Sequence, residues 1–91
     1  MAVQHRIITY AGVVQGVGFR YIASRLADQY DISGYVRNMP DGTVLIEAEA
    51  EQDRLEEFLA AIRERMGGYI RNVQEQISAS RGEFHGFSVR Y

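Results

Sequence analysis

Gly34-Tyr35-Val36-Arg37-Asn38-Met39-Pro40-Asp41-Gly42-Thr43-Val44-Leu45-Ile46-Glu47-Ala48-Glu49-Ala50 is the stretch from which the fold can be read. Gly34 to Asn38 begins one strand, Thr43 to Ala50 forms the next, and both are flanked by turn residues. Met39-Pro40-Asp41-Gly42 joins them as a hairpin turn, because proline presets φ at the second position and Gly42 accepts a left-handed conformation. In the second arm Val44, Ile46 and Ala48 alternate with Leu45, Glu47 and Glu49. That alternation predicts one face mostly buried and the other mostly wet.

Outward from this hairpin lie two helices, one on each side. Towards the N-terminus, Phe19, Ile22, Ala23, Leu26, Ala27 and Tyr30 recur as one apolar helical stripe, with Arg25, Asp28 and Gln29 off it. Before them, Arg6 to Val14 is rich in β-branched and aromatic residues and reads as the first strand. Towards the C-terminus a second helix opens near Asp53, with Glu56 placed for a capping box. Its stripe is Leu55, Phe58, Leu59, Ile62 and Met66, and Gly67-Gly68 ends it. Ile70 to Ala79 gives a fourth strand with Val73 and Ile77 on one face, and Phe87, Val89 and Tyr91 alternate in a short fifth. The order βαββαβ plus a terminal strand predicts an α+β protein, a ferredoxin-like split β-α-β sandwich. Both helices would pack on one face of a mostly antiparallel sheet, in a single domain spanning residues 1–91. Gly68-Tyr69-Ile70-Arg71-Asn72 nearly repeats Gly34-Tyr35-Val36-Arg37-Asn38, and each follows a helix and begins a strand. The echo reads as a strand-start preference, since Ala50-Glu51-Gln52-Asp53 before the second helix is acidic and lacks a glycine loop.

That fold hosts many unrelated activities, so function must be argued from the site. Between the first strand and first helix runs Gly12-Val13-Val14-Gln15-Gly16-Val17-Gly18-Phe19-Arg20. Glycines at 16 and 18 allow successive backbone N–H groups to point into one concavity. The helix N-terminus adds unpaired donors and partial positive charge, and Arg20 adds a planar fork suited to two phosphoryl oxygens. The pattern reads as a phosphate cradle. A Walker-type loop needs a lysine, and all 10 basic residues are arginine. A dinucleotide fingerprint needs a third glycine where Tyr21 stands, and an acidic residue about 20 positions on that is missing.

Composition narrows the function classes. With 91 residues and 46% hydrophobic content the chain has one modest core. There is no cysteine, hence no disulfide and no thiolate nucleophile. No apolar run approaches about 18 residues and no signal-peptide pattern opens the chain, so no membrane span and a cytoplasmic location are expected. The net charge of −2 argues against non-specific nucleic-acid binding and favours a small anionic ligand. An RNA-recognition module of the same topology would need an aromatic consensus on its central strands that no segment here fits. His5 and His85 are not spaced as a metal pair. Glu47, Glu49, Glu51, Glu56 and Glu57 read as a solvated face, and Tyr10, Tyr21, Tyr35 and Tyr91 as packing and edge residues.

The loop from Gly12 to Arg20 resembles the phosphate-binding loop of the acylphosphatases, small enzymes of about this length. The block from Gly34 to Val44 resembles that family's second pattern, which carries its second catalytic residue. Two blocks at this separation are more specific than either alone. The second pattern closes on glycine where this chain has Ala50, at a strand end away from the loop. The resemblance implies a ferredoxin-like fold and hydrolysis of acyl phosphates to a carboxylate and inorganic phosphate. It implies Arg20 as the phosphate binder and Asn38 as the residue orienting the attacking water. Gln15, Gly16, Val17, Gly18 and Phe19 would supply loop donors, with the Phe19 side chain turned into the core.

The residue chemistry agrees with that substrate class. An asparagine amide can accept a hydrogen bond from water and aim its lone pair, but cannot take a proton as a carboxylate could. A carboxylate leaving group, whose parent acid has a pKa of about 4, departs without a general acid or a metal. The expectations are a small-molecule acyl phosphate as partner, no cofactor, no metal and a monomer. A non-catalytic phosphate or acyl-phosphate sensor is the alternative reading.

Overall fold

The computed structural model describes residues 3–80, 82 and 84–91. Its elements are β1 (Val3–Gly12), α1 (Phe19–Tyr30), β2 (Ser33–Asn38), β3 (Val44–Glu51), α2 (Gln52–Met66), a single 3-10 turn (Gly67–Tyr69), β4 (Ile70–Ala79) and β5 (Phe87–Arg90). The strands form one sheet in the order β4-β1-β3-β2-β5. All neighbours are antiparallel except β2 and β5, which run parallel. The expected ferredoxin-like α+β architecture is therefore present, with a fifth strand added beside β2.

The core lies between the sheet and the two helices. From the sheet it takes Ile8, Tyr10, Val36, Val44, Ile46 and Ala48; from the helices, Phe19, Ala23, Leu26, Ala27, Leu55, Phe58, Ile62 and Met66. These are the positions of the two helical stripes and the core-facing phase of β3, so the periodicities 3.6 and 2.0 meet across one layer. Gly34 lets the sheet close at β2: its φ is +139°, and a Cβ there would run into the Glu47 carbonyl of β3. Ala50 is buried near the end of β3 and pairs with Gln4, at the opposite end of the sheet from the Gly12–Arg20 loop.

Three local expectations are corrected. β1 stops at Gly12, short of Val14, because the pairing with β4 shifts register between Ala11 and Gly12. The chain leaves there with the Val13 N–H bonded to the Tyr69 carbonyl at 2.9 Å. The capping box at Asp53 and Glu56 does not form. Strand β3 passes straight into α2, so the capping position falls on Glu51 with no side-chain cap, and Asp53 lies within the first turn. Glu56 instead pairs with Arg6, whose buried guanidinium also meets Glu75 at 3.1 Å. Finally, Glu47 and Glu49 are not a solvated face. His5, on the sheet face away from the helices, meets Glu47 through Nε2 at 3.0 Å and Glu49 through Nδ1 at 2.9 Å. The Phe84 ring stacks over His5 at 5.8 Å between centroids, so His5 and Glu49 are buried. Strand alternation assigned the face; it carried no information about the segment that covers it. On β4, Val73 is half-buried while Ile77 is exposed.

Among the described residues no helix is long and apolar enough to cross a membrane.

Candidate active site

The loop between β1 and α1 takes its shape from glycines that sit where a side chain would be strained. Gly16 has φ +77° and Gly18 +82°, both in the left-handed region. Gly18 occupies the capping position of α1 and no side chain caps it. The first bond outside the helix body runs from the Ile22 N–H to the Gly18 carbonyl at 3.0 Å. The N–H groups of Phe19, Arg20 and Tyr21 thus precede the helical ladder, at the positive end of the helix dipole. Phe19 anchors this end: its ring is buried and packs against Tyr10 at 5.0 Å between centroids.

These groups open on a cleft of about 290 Å³ lined by Gly16, Gly18, Arg20, Asn38, Val89 and Tyr91, among others. The structure therefore brings Gly16, Gly18, Phe19, Arg20 and Asn38 to one place. Gln15 and Val17 belong to the loop without lining the cleft. The Gln15 side chain turns to the β2–β3 hairpin, where Nε2 donates to the carbonyls of Met39 at 2.8 Å and Thr43 at 2.9 Å.

Arg20 is held from the side of β5. Its guanidinium lies 4.6 Å from the centre of the Tyr91 ring, and Nη1 points to the Arg90 carbonyl at 3.5 Å, the long limit of a hydrogen bond. Among the described residues it forms no ion pair, so its charge and most of its donors remain for a ligand. Asn38 ends β2, paired with Val44 in β3. Its amide has no hydrogen-bond partner among the described residues. Beyond it the turn is locked by Asp41, which accepts from the Thr43 hydroxyl at 2.6 Å and the Thr43 N–H at 3.0 Å. Those two bonds, the hydroxyl first, hold the Asp41 carboxyl below its ordinary range.

The sequence reads Tyr91 and Tyr21 as packing and edge residues, with no place at the site. Both line the cleft, and both are largely exposed. The signal that would have found Tyr91 is the pairing of β5. The register Arg37 with Arg90 sets Tyr91 beside Asn38, but a parallel neighbour leaves no trace in a four-residue strand's own sequence. Tyr35 is buried under Arg90, whose guanidinium lies 3.9 Å from the ring centre. Burial, then the hydrogen bond to Glu47 and that carboxylate's charge, push the Tyr35 hydroxyl up to about 12, against the opposing pull of Arg90 and Arg37. His5 lies at the other end of β1 from this cleft, and His85 does not line it.

Fold and cleft together define a class: ferredoxin-like α+β proteins with a glycine-bearing loop opening on a cleft at the start of their first helix. Within that class the chain belongs to the acylphosphatase family, whose sequence model matches residues 6–89. The curated acylphosphatase of Methanospirillum hungatei is 50% identical over 68 residues, 72% of this chain and 75% of that one. The one from Bacillus licheniformis is 39% identical over 89 residues, 97% of this chain and 98% of that one. The crystal structure of acylphosphatase from Bacillus subtilis matches with a TM-score of 0.84 at 35% identity, over 98% of this chain and 99% of its own.

Proposed function

We propose that this chain, acting as a single domain, hydrolyses acyl phosphates without a metal. The observation that carries this reading is the convergence of three unspent groups on one cleft: the Arg20 guanidinium, the first N–H groups of α1 and the Asn38 amide. Arg20 and the N–H groups from Gly16 to Arg20 hold the three phosphoryl oxygens and stabilise charge on them during in-line displacement. Asn38 accepts a hydrogen bond from a water and directs its lone pair at phosphorus. The water oxygen bonds to phosphorus, the bond from phosphorus to the acyl oxygen breaks, and the carboxylate leaves with that electron pair. The water's protons stay with the released inorganic phosphate or pass to solvent.

The site holds a phosphoryl group well and activates water weakly, which suits a substrate whose leaving group is already stable as an anion. An alkyl phosphate would expel an alkoxide and calls for a general acid, and no carboxyl or imidazole is among the described residues lining this cleft. The test is turnover of benzoyl phosphate in the presence of EDTA, on wild type and Arg20→Ala side by side. Metal-free hydrolysis that collapses in the variant is the expected result. Phosphate binding by folded wild type without turnover would overturn it in favour of a non-catalytic sensor.

A further inference from the structure

The cleft is made of two parts that the sheet does not join directly. The loop after β1 carries the phosphoryl-holding groups, and the end of β2 carries Asn38; β3 lies between those strands. On the β4 side the loop is tied by the Val13 N–H to the Tyr69 carbonyl. On the Asn38 side, among the described residues, one side chain makes the connection from Val13–Gly18 to the hairpin, and it is Gln15.

Its two donors are placed in a way few other side chains could reproduce. A primary amide has two N–H donors, and both are used, on the carbonyls of Met39 and Thr43. Each carbonyl accepts a second bond from inside the turn: Met39 from the Gly42 N–H at 3.1 Å, Thr43 from the Met39 N–H at 2.8 Å. Gln15 immediately precedes Gly16 of the cradle, and Met39 immediately follows Asn38. The clamp therefore fixes the two halves of the site at the residues adjoining each. Glutamate would fill the same space but set oxygens against two carbonyls, and leucine would donate nothing.

We infer that Gln15 is the positioning residue of this reaction, holding Asn38 in register with the phosphoryl group bound by the loop. The inference rests on the proposed acyl phosphate hydrolysis. It separates binding from alignment. The loop's own N–H groups and Arg20 do not depend on the clamp, so phosphate affinity survives its loss, whereas the line from Asn38 through water to phosphorus does not.

The test compares Gln15→Leu and Gln15→Glu with wild type, and places Gln15→Leu in an Asn38→Ala background. A misplacement near 1 Å can cost about 10²-fold in rate. Both single variants should lose kcat by about that order, with inhibition by inorganic phosphate within about threefold of wild type. In the Asn38→Ala background Gln15→Leu should lower kcat no further, since the group it aligns is gone. A loss of kcat that persists there, a matching loss of phosphate affinity, or wild-type kcat in either variant would overturn the inference. A second readout does not need turnover. Inorganic phosphate should shift the Asn38 side-chain amide resonances in wild type. In Gln15→Leu that shift should vanish while the backbone amides of Gly16 and Gly18 still respond. Turnover failing in wild type would sink the hydrolase reading alone; an unchanged Asn38 response in Gln15→Leu would sink the clamp.

Discussion

The two halves of the molecule, β1-α1-β2 and β3-α2-β4, are built on one plan and even share a motif. Gly34-Tyr35-Val36-Arg37-Asn38 and Gly68-Tyr69-Ile70-Arg71-Asn72 each follow a helix and lead a strand. They differ in what connects strand to helix. In the first half six residues separate Gly12 from Phe19, two of them left-handed glycines, and Arg20 stands in the first helical turn. In the second half Glu51 passes directly to Gln52, and the corresponding place in the helix is taken by Asp53. Where one half has a glycine loop and an arginine, the other has an acidic corner. Asn38 ends an interior strand against the cleft, whereas Asn72 lies on the exposed edge strand β4. The repeated strand start is a feature of the fold, and the proposed chemistry belongs to the connection.

Paired substitutions in the two halves would break this contrast if it is wrong. The largest effect is expected at Arg20, where losing a preorganised donor to developing oxyanion charge costs about 10²–10³ in kcat, and a charged anchor at least that. Arg20→Ala should fall to that level or below, and Asp53→Ala should leave the acyl phosphate hydrolysis rate unchanged. Next, Asn38→Ala should lower kcat by about 10²-fold or more with phosphate inhibition largely preserved; Asn72→Ala should match wild type in both. Equal damage from the two asparagines would mean that the second half also takes part.

Stability gives the third pair. Gly34→Ala forces a side chain into a left-handed backbone and against the Glu47 carbonyl. Urea melts should show a loss of about 3 kcal/mol or more. Gly68 faces open space, and Gly68→Ala should fall within about 0.5 kcal/mol of wild type. The smallest effect is on the alkaline side. Tyr35, raised to about 12 in the folded chain, contributes stability that is whole below the unfolded value of 10.0 and is lost as pH rises towards 12. Buried Tyr10, raised by the same desolvation with the Glu75 charge adding, acts in the same direction. Urea midpoints measured between pH 9 and 11.5 should decline, and Tyr35→Phe should make that decline shallower.

Much of this was legible in the residues because it is local. The two helical stripes, the Pro40–Gly42 turn and the alternation of β3 depend on neighbours within a few positions, and together they give the element order of a split β-α-β sandwich. The loop from Gly12 to Arg20 is contiguous and so was equally visible. What stayed hidden depends on partners distant in sequence. Tyr91 reaches Arg20 through a parallel pairing across the sheet edge, and Glu47 and Glu49 meet a His5 over which the Phe84 ring stacks. The Gln15 clamp spans 24 and 28 positions to its two carbonyls, and no property of glutamine in a loop announces it. The misplaced helix start at Asp53 has a different cause: β3 runs one residue past Ala50 and leaves no linker for a cap.

The parallel strand β5 also sets a schedule. Arg20 emerges early from the ribosome, yet the Tyr91 ring and Arg90 carbonyl that hold its guanidinium are the last parts of the cleft to be synthesised. A nascent chain can pair β1 with β3 and pack both helices while its cradle is still without this support. On the proposed reading, competence would wait until residues 87–91 dock beside β2, and a truncated translation product would be folded and inert.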